Sequence, residues 1–243
     1  MFWGAAAVTF VSALLVALVS RDAPPGTKTA APGQSGRLRD IFRDPRFWRL
    51  ACVNFAVTGS MFAYQGLWAG PFLQDSLGLP AVAAGSLLLL LSGGVVVGYF
   101  TIGWSGDRFG VGRVALLASG IFGAAQLTLA FCRPEWPLWL VQGLFLVFGL
   151  TGASSLVFLT HAQGLFPHMT GRATTAINLF GIGGGALLQW GLGLVVGLFP
   201  DTALGKPPEA YSALFAVTAV LVAAALGYAP LRRRQLRREV GTA

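Results

Sequence analysis

Uncharged apolar runs bounded by charge, proline and glycine dominate the chain. Seven can be marked, at residues 2–19, 50–68, 80–102, 114–131, 138–161, 173–199 and 211–229, and none contains Asp, Glu, Lys or Arg. Each approaches or exceeds the roughly 20 residues that an α-helix needs to cross a hydrocarbon core. The pattern predicts an all-α polytopic membrane protein with seven transmembrane helices. Residues 23–36, rich in Pro, Gly, Ser and Thr, read as a flexible linker. The predicted organisation is one transmembrane helix (1–20), a cytoplasmic linker (21–46), a six-helix unit (47–230) and a basic tail (231–243).

The last six runs divide into two triplets. Glycine gathers in the middle member of each, at Gly85, Gly93, Gly94, Gly98 and Gly103, and at Gly181, Gly183, Gly184, Gly185, Gly191, Gly193 and Gly197. Amides and hydroxyls gather in the first members, at Asn54, Thr58, Ser60, Tyr64 and Gln65, and at Gln142, Thr151, Ser154, Ser155 and Thr160. Three crossings per repeat put the second triplet in the membrane from the opposite side, the inverted arrangement common in secondary transporters. Glycines four apart, as in Gly94 and Gly98, Gly181 and Gly185, and Gly193 and Gly197, predict close helix contacts. Asn54, Thr58, Met61, Gln65 and Trp68 recur at intervals of three or four and predict one polar stripe, able to line a cavity or to bond a neighbouring helix. Asn178 and Gln189, about three turns apart, point the same way as Gly181 and Gly185 and would flank a glycine-lined gap.

Composition agrees with a membrane location: 55% of the 243 residues are hydrophobic and 11% charged, against about 25% charged in soluble domains. The net charge of +8 is topogenic in its distribution. Fifteen of the 17 basic residues fall in alternate connections: Arg21 to Arg49, Arg108 and Arg113, Arg172, and Arg232 to Arg238; Arg133 and Lys206 occupy the others. The positive-inside rule then puts the N-terminus outside and the C-terminus in the cytoplasm. No nucleic-acid partner is needed to account for the charge. No positive residue precedes the first run, which argues against a cleaved signal peptide.

One charged motif stands out, Gly103-Trp104-Ser105-Gly106-Asp107-Arg108-Phe109-Gly110-Val111-Gly112-Arg113. It resembles the Gly-x-x-x-Asp-Arg-x-Gly-Arg-Arg loop of the major facilitator superfamily, with Val111 and Gly112 in place of the usual basic pair. Leu38 to Arg49 and the Gly171-Arg172 entry to the sixth run are similar to that family's approaches to its seventh and eleventh helices. The resemblance implies helix six, a central loop and helices seven to twelve, with helices one to five absent. It also implies a conformational gate of Gly103, Asp107, Arg108, Gly110, Arg113 and Arg172. In that family the Asp faces a helix N-terminus of the opposite half, where a carboxylate gains about 0.3–1 kcal/mol.

The sequence thus leads to a secondary transporter moving a small-molecule solute by alternating access in a bacterial inner membrane. Its partners would be the lipid bilayer and an N-terminal half or a second copy. The predicted cavity wall holds Asn54, Thr58, Tyr64, Gln65, Trp68, Asn178 and Gln189. No cofactor, metal or catalytic set is expected, because His161 and His168 have no carboxylate or cysteine beside them in sequence. A noncatalytic scaffold or inactive fragment is the alternative. A seven-helix receptor fits less well, because the last run lacks an Asn-Pro-x-x-Tyr element and no run contains Lys.

Overall fold

A computed structural model describes residues 2–19, 36–202 and 205–241. The chain divides into two units, Met1–Ser35 and Gly36–Ala243. The described part of the first is a single apolar helix, α1 (Phe2–Val19). The second is a helical bundle with no strand among its described residues, only an isolated bridge between Thr202 and Gly205.

The second unit opens with a short amphipathic helix, α2 (Leu38–Arg43), which buries Ile41 and turns Arg39, Asp40 and Arg43 outward. Asp44 then starts α3 (Pro45–Ala63): its carboxylate accepts from the Arg46 amide at 2.8 Å, and Pro45 occupies the first helical position, where no donor is lost. The helical path continues well beyond residue 68, where the sequence pattern ends the run. It passes through a π turn (Tyr64–Trp68), one α turn, α4 (Ala69–Pro71), and a second π turn (Phe72–Ser76). Pro71 explains this distortion, since its ring cannot sit in a regular ladder against the carbonyl four residues back. Gly78, at φ +64°, closes the path, with the Leu79 amide reaching the Leu73 carbonyl at 3.1 Å.

Five segments are long and apolar enough to cross a membrane: Ala81–Phe109 (α5), Val111–Ala130 (α6), Leu138–Leu165, Pro167–Gly197 and Pro208–Tyr228. The third is bent at Ala153 and Ser154 into α7 (Leu138–Gly152) and α8 (Ser155–Leu165). Thr151 and Ser154 there turn their hydroxyls onto backbone carbonyls within the same segment. The fourth holds α9 (Thr170–Gly197) and the fifth begins α10 (Pro208–Gly241). These five correspond to the last five runs of the sequence pattern.

The bundle is apolar outside as well as inside. Leu89 and Phe100 on α5 are 75% and 76% exposed, and Leu117 on α6 and Trp190 on α9 are also exposed. Contiguous apolar surface on this scale suits lipid rather than water. Inside, aromatic rings fill the space between helices: Tyr64 stacks on Phe215 at 4.5 Å, Phe122 on Phe148 at 4.5 Å, and Phe72 meets Phe215 edge-on at 5.0 Å.

Candidate functional site

Close backbone approach sets the positions of the polar side chains. The most extensive helix contact pairs α3 with α9. A methyl group on Gly59 would lie 2.8 Å from the Gly184 carbonyl carbon, and one on Gly184 would lie 3.0 Å from the Phe55 carbonyl oxygen. Gly181 is covered by Asn54 and Thr58, and Gly185 by Phe62, so the space along these two glycines is filled by α3. The pair Gly94 and Gly98 does the same for α5, resting on the Leu146 and Leu150 carbonyls of α7, while Gly149 rests on that of Leu91. A methyl group on Gly193 would meet only the Trp68 ring, at 3.5 Å, and one on Gly197 nothing within 4 Å, so this third spacing brings no neighbouring backbone close.

Three of the residues predicted for the cavity wall lie within the bundle. Asn54 donates from Nδ2 to the Ile177 carbonyl of α9 at 2.7 Å and accepts the Thr58 hydroxyl at 2.7 Å; both side chains are buried. Tyr64 is also buried, its hydroxyl 2.8 Å from Thr218 Oγ1 on α10. Thr218 directs its own hydrogen to the Leu214 carbonyl, which leaves Tyr64 as the donor. These groups clamp α3 to α9 and α10.

The π turn changes which way the following residues face. An α-helical continuation would carry the Asn54, Thr58 and Met61 face through Gln65, but the wider turn swings Gln65, Gly66 and Leu67 to the surface. Gln65 Nε2 lies 3.4 Å from Ser92 Oγ on α5. Beside it, Gln189 of α9 donates to the Phe62 carbonyl at 3.1 Å, and Trp68 Nε1 donates to the Gln189 carbonyl at 3.3 Å. Gly66 provides the room for this arrangement, since a methyl group there would lie 2.7 Å from Gln189 Nε2. The result is a surface cluster of two amides, a hydroxyl and an indole contributed by three helices. Asn178 is exposed on α9, about 16 Å along the axis from Gln189 at 1.5 Å per residue.

The charged motif closes α5. Gly103 lies within the last turns of that helix, Asp107 and Arg108 are exposed, and Arg108 lies 5.9 Å from the Trp104 ring centre. Gly110 has φ +93°, which excludes a side chain without strain and lets α6 begin at once, with Arg113 in its first turn. No ion pair reaches Asp107 among the described residues. Arg172, in the first turn of α9, donates from Nη1 to the Gly36 carbonyl. At the entry to α3, burial works to raise the Asp44 pKa, but hydrogen bonds from the Arg46 side chain and backbone and the charges of Arg46 and Arg49 outweigh it and hold the carboxyl below its usual value.

A second polar cluster escaped the sequence reading. Asp75 sits in the second π turn, where its carboxylate accepts the Tyr211 hydroxyl at 2.5 Å and the Lys206 amide at 3.3 Å. Lys206 Nζ pairs with Asp201 at 2.9 Å and donates to the Phe199 carbonyl at 2.8 Å. Gly205, at φ +118°, packs against the Asp75 carboxylate. The sequence pattern ends the run before Asp75, so only the helical continuation past Pro71 could have exposed this tie between the end of that path and the α9–α10 connection.

A family model described as Major Facilitator Superfamily matches residues 1–189. A curated relative from Corynebacterium glutamicum, described as a gentisate transporter, is 30% identical over 166 residues, which is 64% of this chain and 37% of that protein. The chain therefore spans well under half the length of that relative.

Proposed function

The chain belongs to the Major Facilitator Superfamily and is an integral membrane protein of the transporter type, and we propose that its six-helix unit forms one wall of an alternating-access pathway. Seven crossings are proposed, with α1 and the 45–76 path added to the five long apolar segments. Residues 36–49, Asp107 to Arg113, Arg172 and the basic tail would lie on the cytoplasmic side of a bacterial inner membrane.

The exposed cluster at the first π turn carries this reading. Gln65 and Gln189 offer amide donors and acceptors and Trp68 an aromatic face; Asn178 continues the polar strip along α9. Asn54, Thr58 and Tyr64 support the same site from behind by fixing α3 against α9 and α10. A facing wall, from an N-terminal half or a second copy, would enclose the solute as the two units rock. Asp107, with Arg108, Arg113 and Arg172, would form the cytoplasmic gate, Asp107 meeting a helix N-terminus of that facing unit. Gly103 and Gly110 would set the backbone of that gate.

The relative's description suggests gentisate, or another small aromatic acid, as the solute. Amides and an indole can bind an aromatic ring and its hydroxyls, whereas the cluster contains no cation for a carboxylate. The counter-charge would then come from the facing wall. The test is uptake of labelled gentisate by cells expressing the chain with a facing six-helix unit. Saturable uptake that Gln65→Ala and Gln189→Ala each weaken supports the reading; uptake indifferent to both substitutions refutes the placement of the site.

A further inference from the structure

We propose that the groove between α2 and the first turns of α9 is a binding site for one anionic phospholipid. This inference rests on the membrane location of the helices, and not on the transport pathway or on the direction of the chain. The groove has a volume of about 350 Å³ and is lined by Leu38 and Phe42 of α2 and by Gly171, Arg172, Thr175, Ala176 and Leu179 of the α9 side. Its walls are apolar and uncovered, with Leu38 49% and Leu179 64% exposed.

The rim carries a net positive charge. Leu38 and Phe42, four apart, share the α2 face that meets the groove, and Arg39 and Arg43, also four apart, share the neighbouring face. Arg172 borders the groove from α9. Of the nearby acids, Asp44 is paired with Arg46 at 2.7 Å, whereas Asp40, which accepts the Arg37 amide at 2.9 Å, keeps its charge and offsets one of the three arginines. No ion pair reaches Arg39, Arg43 or Arg172 among the described residues. The site thus joins an apolar slot to a net positive charge.

That combination selects the occupant. A soluble anion would satisfy the arginines and leave the slot wet; an uncharged lipid would fill the slot and leave the arginines without a counter-ion. An anionic phospholipid satisfies both, with an acyl chain against Leu38, Phe42 and Leu179 and its phosphate near Arg39, Arg43 and Arg172. The chain's own terminal and linker sequences fit poorly by charge, since residues 20–35 carry Asp22 against Arg21 and Lys28, and residues 231–243 carry Glu239 against five arginines.

The full chain, purified and stripped of lipid in a neutral detergent, would be titrated with phosphatidylglycerol and phosphatidylcholine of identical acyl chains, with bound lipid counted by native mass spectrometry. A preference for phosphatidylglycerol of about tenfold or more is expected, as one or two arginine–headgroup attractions would give. Neutralising the rim in the triple variant R39Q/R43Q/R172Q should bring the two lipids within about twofold. Thr175→Trp, at an exposed position lining the groove, should block the slot and remove the same preference with all arginines kept. Arg133→Gln, in a different connection, should leave it intact. Equal binding of the two lipids by the native chain would overturn the proposal, as would a preference that survives Thr175→Trp. Competition by millimolar inorganic phosphate alone would assign the arginines to a soluble anion instead and would also overturn it.

Discussion

Substituting Gly59 by alanine tests how tightly the α3–α9 contact is closed. The new methyl group would lie 2.8 Å from the Gly184 carbonyl carbon, about 0.6 Å inside the 3.4 Å at which ordinary contact begins. The obstacle is backbone, so no side-chain rotation relieves it and the two helices must separate. A gap of 0.5–1 Å forfeits roughly a quarter to a half of each dispersion contact it opens, and overpacking of this kind costs about 1–3 kcal/mol. Glycine to alanine also raises helix propensity by about 0.8–1 kcal/mol, which would mask part of the loss. Gly93→Ala removes that ambiguity: Gly93 is also within a long helix, but nothing lies within 4 Å of the position its methyl would take. The difference between the two variants isolates the packing cost. At about 2–4 °C per kcal/mol for a chain of this size, Gly59→Ala should melt some 2–12 °C below Gly93→Ala when both are unfolded thermally in the same detergent. Equal melting temperatures would show that α3 and α9 do not approach as described.

Further outcomes follow from other contacts. Tyr64→Phe keeps the stack on Phe215 and loses only the bond to Thr218; it should cost about 0.6 kcal/mol, at most about 1.7, in detergent unfolding, and a larger loss would mean that the ring itself moves. Asp44→Asn should be less stable than the native chain at neutral pH. Because the folded-state pKa of Asp44 is lowered, its contribution is present above the unfolded value of about 3.9 and fades as pH falls through the folded value, so the two melting curves should converge in acid. Reporter fusions after Ser35, after Asp201 and at the C-terminus should read inside, outside and inside; an outside signal at the C-terminus would refute the proposed orientation.

The helices were largely legible because the membrane imposes a one-dimensional rule: a charge-free apolar run of sufficient length is a helix. The ends of α5 and α6 show it, with Asp107, Arg108 and Gly110 marking the break in both sequence and structure. Glycine spacing was informative only where a neighbouring helix approaches, as at Gly94 and Gly98 but not at Gly197. The polar stripe was half legible. Its first members share a helical face, but the π turn around Gln65 depends on where Pro71 falls in a helix that continues past it, and proline in sequence reads equally as a terminus. Partners were not legible at all, since Tyr64 finds Thr218 and Asp75 finds Tyr211 more than 130 residues away. Nothing in a single sequence states which helices become neighbours.

In the proposed pathway the surface at Gln65, Gln189 and Asn178 meets water within the membrane while the outer apolar faces meet lipid. Thiol accessibility tests it without knowledge of the solute. After Cys52 and Cys132 are replaced by alanine, single cysteines at Gln65 and Asn178, and at Leu89 and Trp190 on exposed apolar faces, would be exposed in intact membranes to a hydrophilic thiol reagent. Gln65→Cys and Asn178→Cys should be modified readily, and Leu89→Cys and Trp190→Cys only slowly. Equal reactivity of the two sets, or faster modification of the apolar faces, would contradict the pathway.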